Sequence, residues 1–490
     1  MNNDEQLRVL HVASEVLPLC KTGGLADVVA ALPAALVAAG HDDRIVIPGY
    51  RTALAAAAAM DVDWHHHPVT IEVGGVDHQV GIGVVQLGAV TCYLLACDEL
   101  FDRDGIYGPT PDSDYEDNAR RFAVFAKAAL ALPRCVGWVP QVIHAHDWQA
   151  GFVPVIRERG FGRDLPATRT VFTIHNIAYQ GQFAADHMRL FGLDGWLYNP
   201  MHLEHHGGIN ALKAGVVFAD QVTTVSRRYA EEIQTADYGW GLEEVLRHHA
   251  YKLRGITNGI DVGVWDPATD PHLPAHFTAT RMAGKKRCRQ ALAEEMGLVP
   301  TDDSVCMVGI VSRLVSQKGL NLVIEAVSPY ILDGRMQLVV LGAGDPACEY
   351  ALRTLQGRHH GWVCFWHGYN EGLAHRIEAG CDLFLMPSLY EPCGLNQMYS
   401  LRYGTLPLVR HTGGLADTVI DVTDRQRGNG FTFGPFDVGH FSSVLDRALG
   451  LYRHYPREWQ AARRRAMAAD LSWTRVAEEY IGLYRSMVYA

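Results

Sequence analysis

Residues 14–36 read SEVLPLCKTGGLADVVAALPAAL, and six of those letters, TGGLAD, return at 412–417. The first copy follows the apolar run RVLHVAS (8–14) and precedes apolar residues at helical spacing, so it reads as strand, glycine turn, helix. The second copy follows LPLVR (406–410) in the same manner. Two such turns are either ordinary strand-to-helix connections or one device used twice, in two similar domains.

Outward from the first copy, apolar strands alternate with helical stretches. DRIVIPGY (43–50), QVIHAHD (141–147), TRTVFTIHN (168–176) and QVTTVS (221–226) read as strands, and NARRFAVFAKAALAL (118–132) as a helix. That rhythm predicts βαβ units and a parallel sheet. HQVGIGVVQLGAVTCYLLAC (78–97) breaks it and reads as an inserted hairpin. Around 258–280 three prolines and no clear period mark a linker, after which SVCMVGIVSR, MQLVVLGAG, WVCFWHGY, CDLFLMPS and TLPLVRHTGG restart the rhythm. The expected architecture is α/β: two doubly wound domains, 1–262 and 263–470, with a ligand cleft between them at the carboxyl ends of the strands. Residues 471–490 carry an amphipathic helical pattern.

Composition narrows the partners. A chain of 490 residues exceeds one hydrophobic core, and its 48% apolar and 20% charged residues suit a globular protein. The net charge of −11 disfavours nucleic acid or an anionic membrane as the main partner. No apolar run approaches the roughly 20 residues of a membrane span. The acidic start MNNDEQLRVL has no signal-peptide pattern, and ten cysteines without CxxC pairs read as reduced thiols, so a cytoplasmic protein is expected.

The motifs fall at strand ends. Gly23 and Gly24 let a ligand approach the backbone, and Lys21 adds a charge suited to phosphate; a tight turn with a solvated lysine is the plainer reading. In the second copy Gly413 and Gly414 follow His411, without that charge. Arg313 and Lys318, in VSRLVSQKG, suit a diphosphate, each charge pair at about 4 Å contributing roughly 4 kcal/mol before desolvation. LGAGDPA (341–347) fits a dinucleotide fingerprint, yet the next strand ends at Tyr369 where a ribose-binding acid is needed, which disfavours NAD. In YEPCGLNQ, Glu391 beside the amides of Gly394 and Leu395 suits a sugar next to a phosphate. The histidines of HHH (65–67), HLEHH (202–206) and HAHD (144–147) lack a recognised zinc spacing, and the DxD triplets at 61–63, 102–104 and 112–114 lie in irregular stretches; no metal is expected. His175 ends a strand.

Taken in order, KTGGLADV, HAHDW, VFTIHNIAYQG, TTVS, NGID, SRLVSQKG, YEPCGLNQ and HTGGLADT resemble the bacterial glycogen synthase family, which uses ADP-glucose and has starch synthases as relatives. The resemblance implies a GT-B fold of two Rossmann-like domains facing a deep cleft, with the final helix (471–490) crossing back to the N-terminal domain. It implies retaining, metal-independent glucosyl transfer to an α-1,4-glucan, without a cofactor. Residue by residue, it implies Lys21, Gly23 and Gly24 at the donor's phosphates and glucose, supported by Asp27. His175, Asn176 and Asn258 would line the glucose subsite, with the His175 carbonyl toward the anomeric carbon. Arg313 and Lys318 would neutralise the departing diphosphate, Tyr369 would stack on adenine, and Glu391 would hold the glucose hydroxyls. Gly394 and Leu395, with Gly413 and Gly414 of the second glycine pair, would complete the donor site. Asn396 stands where the family commonly has Thr. An oxidoreductase, a pyridoxal phosphate-dependent phosphorylase and a silent glucan-binding scaffold are the competing readings.

Overall fold

The computed structural model describes residues 6–110, 113–161 and 165–489. The initial MNNDE and Asp112 of the third DxD triplet lie outside these residues. The chain forms two compact units, Met1–Asn258 with Trp473–Ala490, and Gly259–Ser472.

The first unit is built on a ten-stranded sheet. Its parallel part runs Leu253–Gly255, Gln221–Thr224, Arg169–Ile174, Val142–His146, Arg8–Val12, Asp42–Pro48, Val90–Ala96. Apart from the edge strand Leu253–Gly255, these strands bury most of their residues, as parallel strands covered on both faces do. The segment 78–97 is a hairpin, turning at Gly88, but not a separate insertion. Its second strand, Val90–Ala96, pairs in parallel with Asp42–Pro48 and so extends the main sheet. Val76–Leu87, Asp63–Trp64 and Val69–Val73 add antiparallel pairings beyond it.

The final helix, Trp473–Val488, belongs to this unit. Trp473, Val476, Ala477, Tyr480, Leu483, Tyr484 and Met487 form one buried stripe at the helical repeat. They pack with Val28, Leu32 and Leu36 of the helix Leu25–Ala38, and with Val9 and Val142 of the sheet.

The second unit holds a six-stranded, wholly parallel sheet in the order Val363–His367, Met336–Gly342, Cys306–Val311, Leu383–Met386, Leu406–Arg410, Phe431–Phe433. Residues 258–280 have no helix or strand, yet they do not hang free. Leu273 and Phe277 join a core cluster with Tyr403 and Met467, and Trp265 stacks between His375 and Tyr399 at 3.7 Å from each. Asp270 accepts hydrogen bonds from His375 Nδ1 at 2.7 Å and the Tyr403 hydroxyl at 2.5 Å. From Gly259 onward this stretch is therefore an irregular layer of the second unit.

Leu483→Ala is expected to destabilise the first unit by about 2–5 kcal/mol through loss of buried contact. Tyr484→Phe keeps the ring but leaves His144 Nδ1 without the hydroxyl at 2.8 Å, for a loss of about 1–3 kcal/mol. Denaturant titration of both variants reads the two values.

Candidate active site

In the first unit, the loop between Val12 and the helix Leu25–Ala38 is organised by one buried carboxylate. Glu15 accepts from the backbone amide of Thr22, from the Thr22 hydroxyl at 2.6 Å and from the Gly23 amide at 3.3 Å. The Tyr107 hydroxyl donates to the same carboxylate at 2.5 Å. Tyr107 is itself held by Asn118 Nδ2, which donates to its carbonyl at 2.9 Å from the helix Asn118–Cys135. Buried Arg121 on that helix donates to the carbonyls of Leu100 and Ile106, fixing the chain that leads to Tyr107. Held this way, Gly23 and Gly24 face open space: a Cβ on either meets nothing within 4 Å. Lys21 is exposed beside them and donates to Asp27 at 2.8 Å.

His175 and Asn176 follow the strand Arg169–Ile174, as the sequence expected. The His175 amide donates to Asp147 Oδ1 at 2.7 Å, and Asn176 Oδ1 closes a turn on the Ala178 amide at 3.1 Å. Burial pushes the Asp147 carboxyl up to about 7 and the His175 imidazole down to about 3, so the ring is neutral. Asn258 is buried, with Oδ1 unpartnered among the described residues.

The HAHD histidines, which sequence reading set aside as metal ligands, form a stacked cluster with His11. His11, His144 and His146 bring ligand-type atoms within 4.8 Å of one another, but both ring nitrogens of each are spent on hydrogen bonds. Burial, the largest cause, and the neighbouring imidazoles hold His144 and His146 far below the usual histidine range. A second group, His78, Cys97 and Glu99, lies on the same unit, with the Cys97 thiol pushed up to about 12 mainly by burial. The DxD at 102–104 is clamped by Arg51, which reaches Asp102 at 2.5 Å and Asp104 at 2.6 Å.

In the second unit, Lys318 and Glu391 meet. Lys318 Nζ lies 2.6 Å from Glu391 Oε2, with side chains 18% and 8% exposed, and Ser388 Oγ donates to the same oxygen at 3.0 Å. Lys318 ends the turn Ser316–Lys318, and Gly319 after it has φ +68° and a backbone so close to Pro387 that a Cβ would lie 2.1 Å from its carbonyl oxygen, so only glycine fits. The strand ends carrying the cation and the carboxylate are thus locked together. Arg313, after the strand Cys306–Val311, is exposed and makes no ion pair among the described residues. Tyr369 is 75% exposed. Asn396 Nδ2 donates to the Val311 carbonyl at 2.6 Å, tying its helix to the strand before Arg313.

The two glycine pairs differ. Gly413 and Gly414 are buried, and their Cβ positions would lie 1.9 Å and 2.2 Å from the carbonyls of Glu391 and Cys393. Gly414 N donates to the carbonyls of Glu391 and Pro392. This pair lets the helix Gly413–Thr418 press on the turn that presents Glu391, Gly394 and Leu395. In LGAGDPA, Asp345 caps the helix Pro346–Arg358 and Glu349 accepts from the Gly344 amide at 3.1 Å. Protein carboxylates thus occupy the amides a dinucleotide phosphate would need.

Two consequences are measurable. Glu15→Ala is expected to speed hydrogen exchange of the Thr22 and Gly23 amides by about tenfold to a hundredfold. Lys318→Ala strands a buried carboxylate and should cost about 3–5 kcal/mol in denaturation of the second unit.

A starch synthase catalytic domain model matches residues 8–248, and a group 1 glycosyl transferase model matches residues 299–465. The glycogen synthase of Anaeromyxobacter sp. (strain Fw109-5) is 46% identical over 98% of this chain and 99% of its own. Glycogen synthase 2 of Geobacter sulfurreducens is 43% identical over 98% of both chains. The catalytic domain of starch synthase IV from Arabidopsis thaliana, solved with ADP and acarbose, superposes with a TM-score of 0.90 at 34% identity, covering 99% of this chain and all of that one. The chain belongs to the glycogen synthase and starch synthase family, hexosyltransferases of the GT-B fold that lengthen a glucan by glucosyl transfer.

Proposed function

We propose that the chain transfers glucose from ADP-glucose to the non-reducing end of an α-1,4-glucan, with retention and without a metal. The observation that carries this reading is the buried Lys318–Glu391 pair in the second unit, with exposed Arg313 on the preceding strand end. A leaving diphosphate needs cations, and a sugar gaining positive charge needs a carboxylate. The starch synthase relative bound to ADP favours adenine over uracil in the donor, and exposed Tyr369 offers a ring for stacking.

In the reaction we propose, the bond between the anomeric carbon and the phosphate oxygen breaks, and ADP leaves with the electron pair. Arg313 and Lys318 take up the diphosphate charge, and Lys21 with the open backbone at Gly23 and Gly24 binds the donor from the first unit. The amides of Gly394 and Leu395, on a turn braced by Gly413 and Gly414, complete the donor site. Glu391 holds glucose hydroxyls, while Asn176, Asn258 and the His175 carbonyl line the sugar subsite. The acceptor hydroxyl attacks the same face, and its proton passes to the departing phosphate oxygen. Double displacement needs two carboxylates about 5 Å apart, and one is assigned here. Ten cysteines kept as thiols suit the reducing cytoplasm we assign to the protein.

Transfer of labelled glucose to glycogen, with ADP-glucose and UDP-glucose in parallel and EDTA present, tests this reading. Incorporation from ADP-glucose, undiminished by EDTA, is expected; incorporation from UDP-glucose alone would overturn the donor assignment. Glu391→Gln should lower kcat by about 10²–10³, the range for losing one preorganised electrostatic group.

A further inference from the structure

A continuous chain of hydrogen bonds runs through the first unit from a buried carboxylate to His175. Asp43 Oδ1 lies 3.1 Å from His11 Nε2, His11 Nδ1 lies 3.1 Å from His146 Nε2, and His146 Nδ1 lies 3.0 Å from His175 Nε2. Asp43, His11 and His146 are buried; His175 is half-buried, and its Nδ1 has no partner among the described residues.

The end of this chain dictates its direction. An ionised carboxylate only accepts, so His11 must carry its proton on Nε2. A neutral imidazole then has a bare Nδ1, which can only accept from His146 Nε2–H. The same step repeats at His146, whose bare Nδ1 accepts from His175 Nε2–H. His175 is left with a lone pair on Nδ1. We propose that Asp43, through His11 and His146, fixes His175 in the Nε2-protonated tautomer, so that Nδ1 meets a hydroxyl of the transferred sugar as an acceptor only.

The surroundings favour relay over charge storage. His144 stacks on His146 with centroids 4.1 Å apart and is occupied by Tyr484 and Thr173, so it does not branch the chain. The Asp147 carboxylate accepts from the His175 backbone amide. Burial raises the Asp43 carboxyl to about 6, so the carboxylate is ionised at pH 8; its Oδ2 has no partner among the described residues. Asp43 is a positioning residue: it acts through two rings and touches no ligand. Its part in turnover rests on the placement of His175 at the sugar subsite; the tautomer does not.

The test is nitrogen-15 NMR of the full chain labelled in histidine at pH 8, with the His175 signals assigned by their loss in His175→Gln. Wild type should show the proton on Nε2 of His175. In D43N, which keeps the shape and loses the charge, part or all of the molecules should carry it on Nδ1. The kcat/KM for ADP-glucose should fall about tenfold to a hundredfold, as for a hydrogen bond to substrate lost, with the KM for glycogen unmoved. If D43N does not fold, H11Q cuts the chain one ring nearer and should give the same tautomer mixing. A proton on Nδ1 in wild type, or an unchanged tautomer in the folded variant, overturns the proposal. A wild type that transfers nothing from ADP-glucose overturns the donor assignment instead and leaves the tautomer result standing.

Discussion

A parallel strand buried on both faces has no wet side, and this constraint shapes both units. Polar side chains can sit at its carboxyl end, where the chain leaves the core, or within it if every polar atom has a partner. His175 and Arg313 follow the first rule just past the last residue of a strand, and Glu391 follows it on the turn after the strand Leu383–Met386. His11, His144 and His146 follow the second, lying inside their strands with both ring nitrogens bonded. Strand ends present groups to a ligand, and buried pairs hold those groups in place.

The two TGGLAD copies show how one text can serve two physical ends. Glycine is needed where a backbone must be approached, and the identity of the approaching group is not written in the glycine. At Gly23 and Gly24 that side is open, beside an exposed lysine. At Gly413 and Gly414 it is filled by the backbone of the turn carrying Glu391. The first pair leaves its backbone open, and the second allows close packing against the turn that carries Glu391. The missing lysine at position 411 agrees with this division, since a backbone carbonyl does not call for a full positive charge.

Local patterns made the fold legible: period and length marked the parallel strands, and prolines with no period marked 258–280. Those signals do not report pairing partners. The hairpin at 78–97 could be read as a hairpin, but its membership in the main sheet depends on register with Asp42–Pro48, some fifty residues away in sequence. Likewise, Trp265, Asp270 and Phe277 look like linker residues until His375, Tyr399 and Tyr403 are placed against them. At the site, cations and glycines at strand ends were visible because their chemistry is local. Glu15 was not: it stands as a lone acid in an apolar stretch, and only Thr22, Gly23 and Tyr107 converging on it reveal its task. Asp43 and His11 were hidden for the same reason, since 32 positions separate them.

The buried histidine cluster also has an energetic meaning. Replacing such a network with aliphatic side chains of similar volume is often neutral or stabilising, because desolvated polar groups recover little more than they lose. A sheet that needed only stability would carry Val or Ile at positions 11, 144 and 146. The rings at 11 and 146 therefore do something apolar residues cannot: they transmit the direction of a hydrogen bond across the core. In the second unit the corresponding task falls to a direct pair, Lys318 with Glu391, because both groups already sit at adjacent strand ends. The first unit has its fixed charge several side chains away from its site residue, so orientation must be carried inward by groups that both donate and accept. Imidazole is the side chain that does so in a fixed, planar geometry, and three in series span the core between Asp43 and the end of the strand Arg169–Ile174.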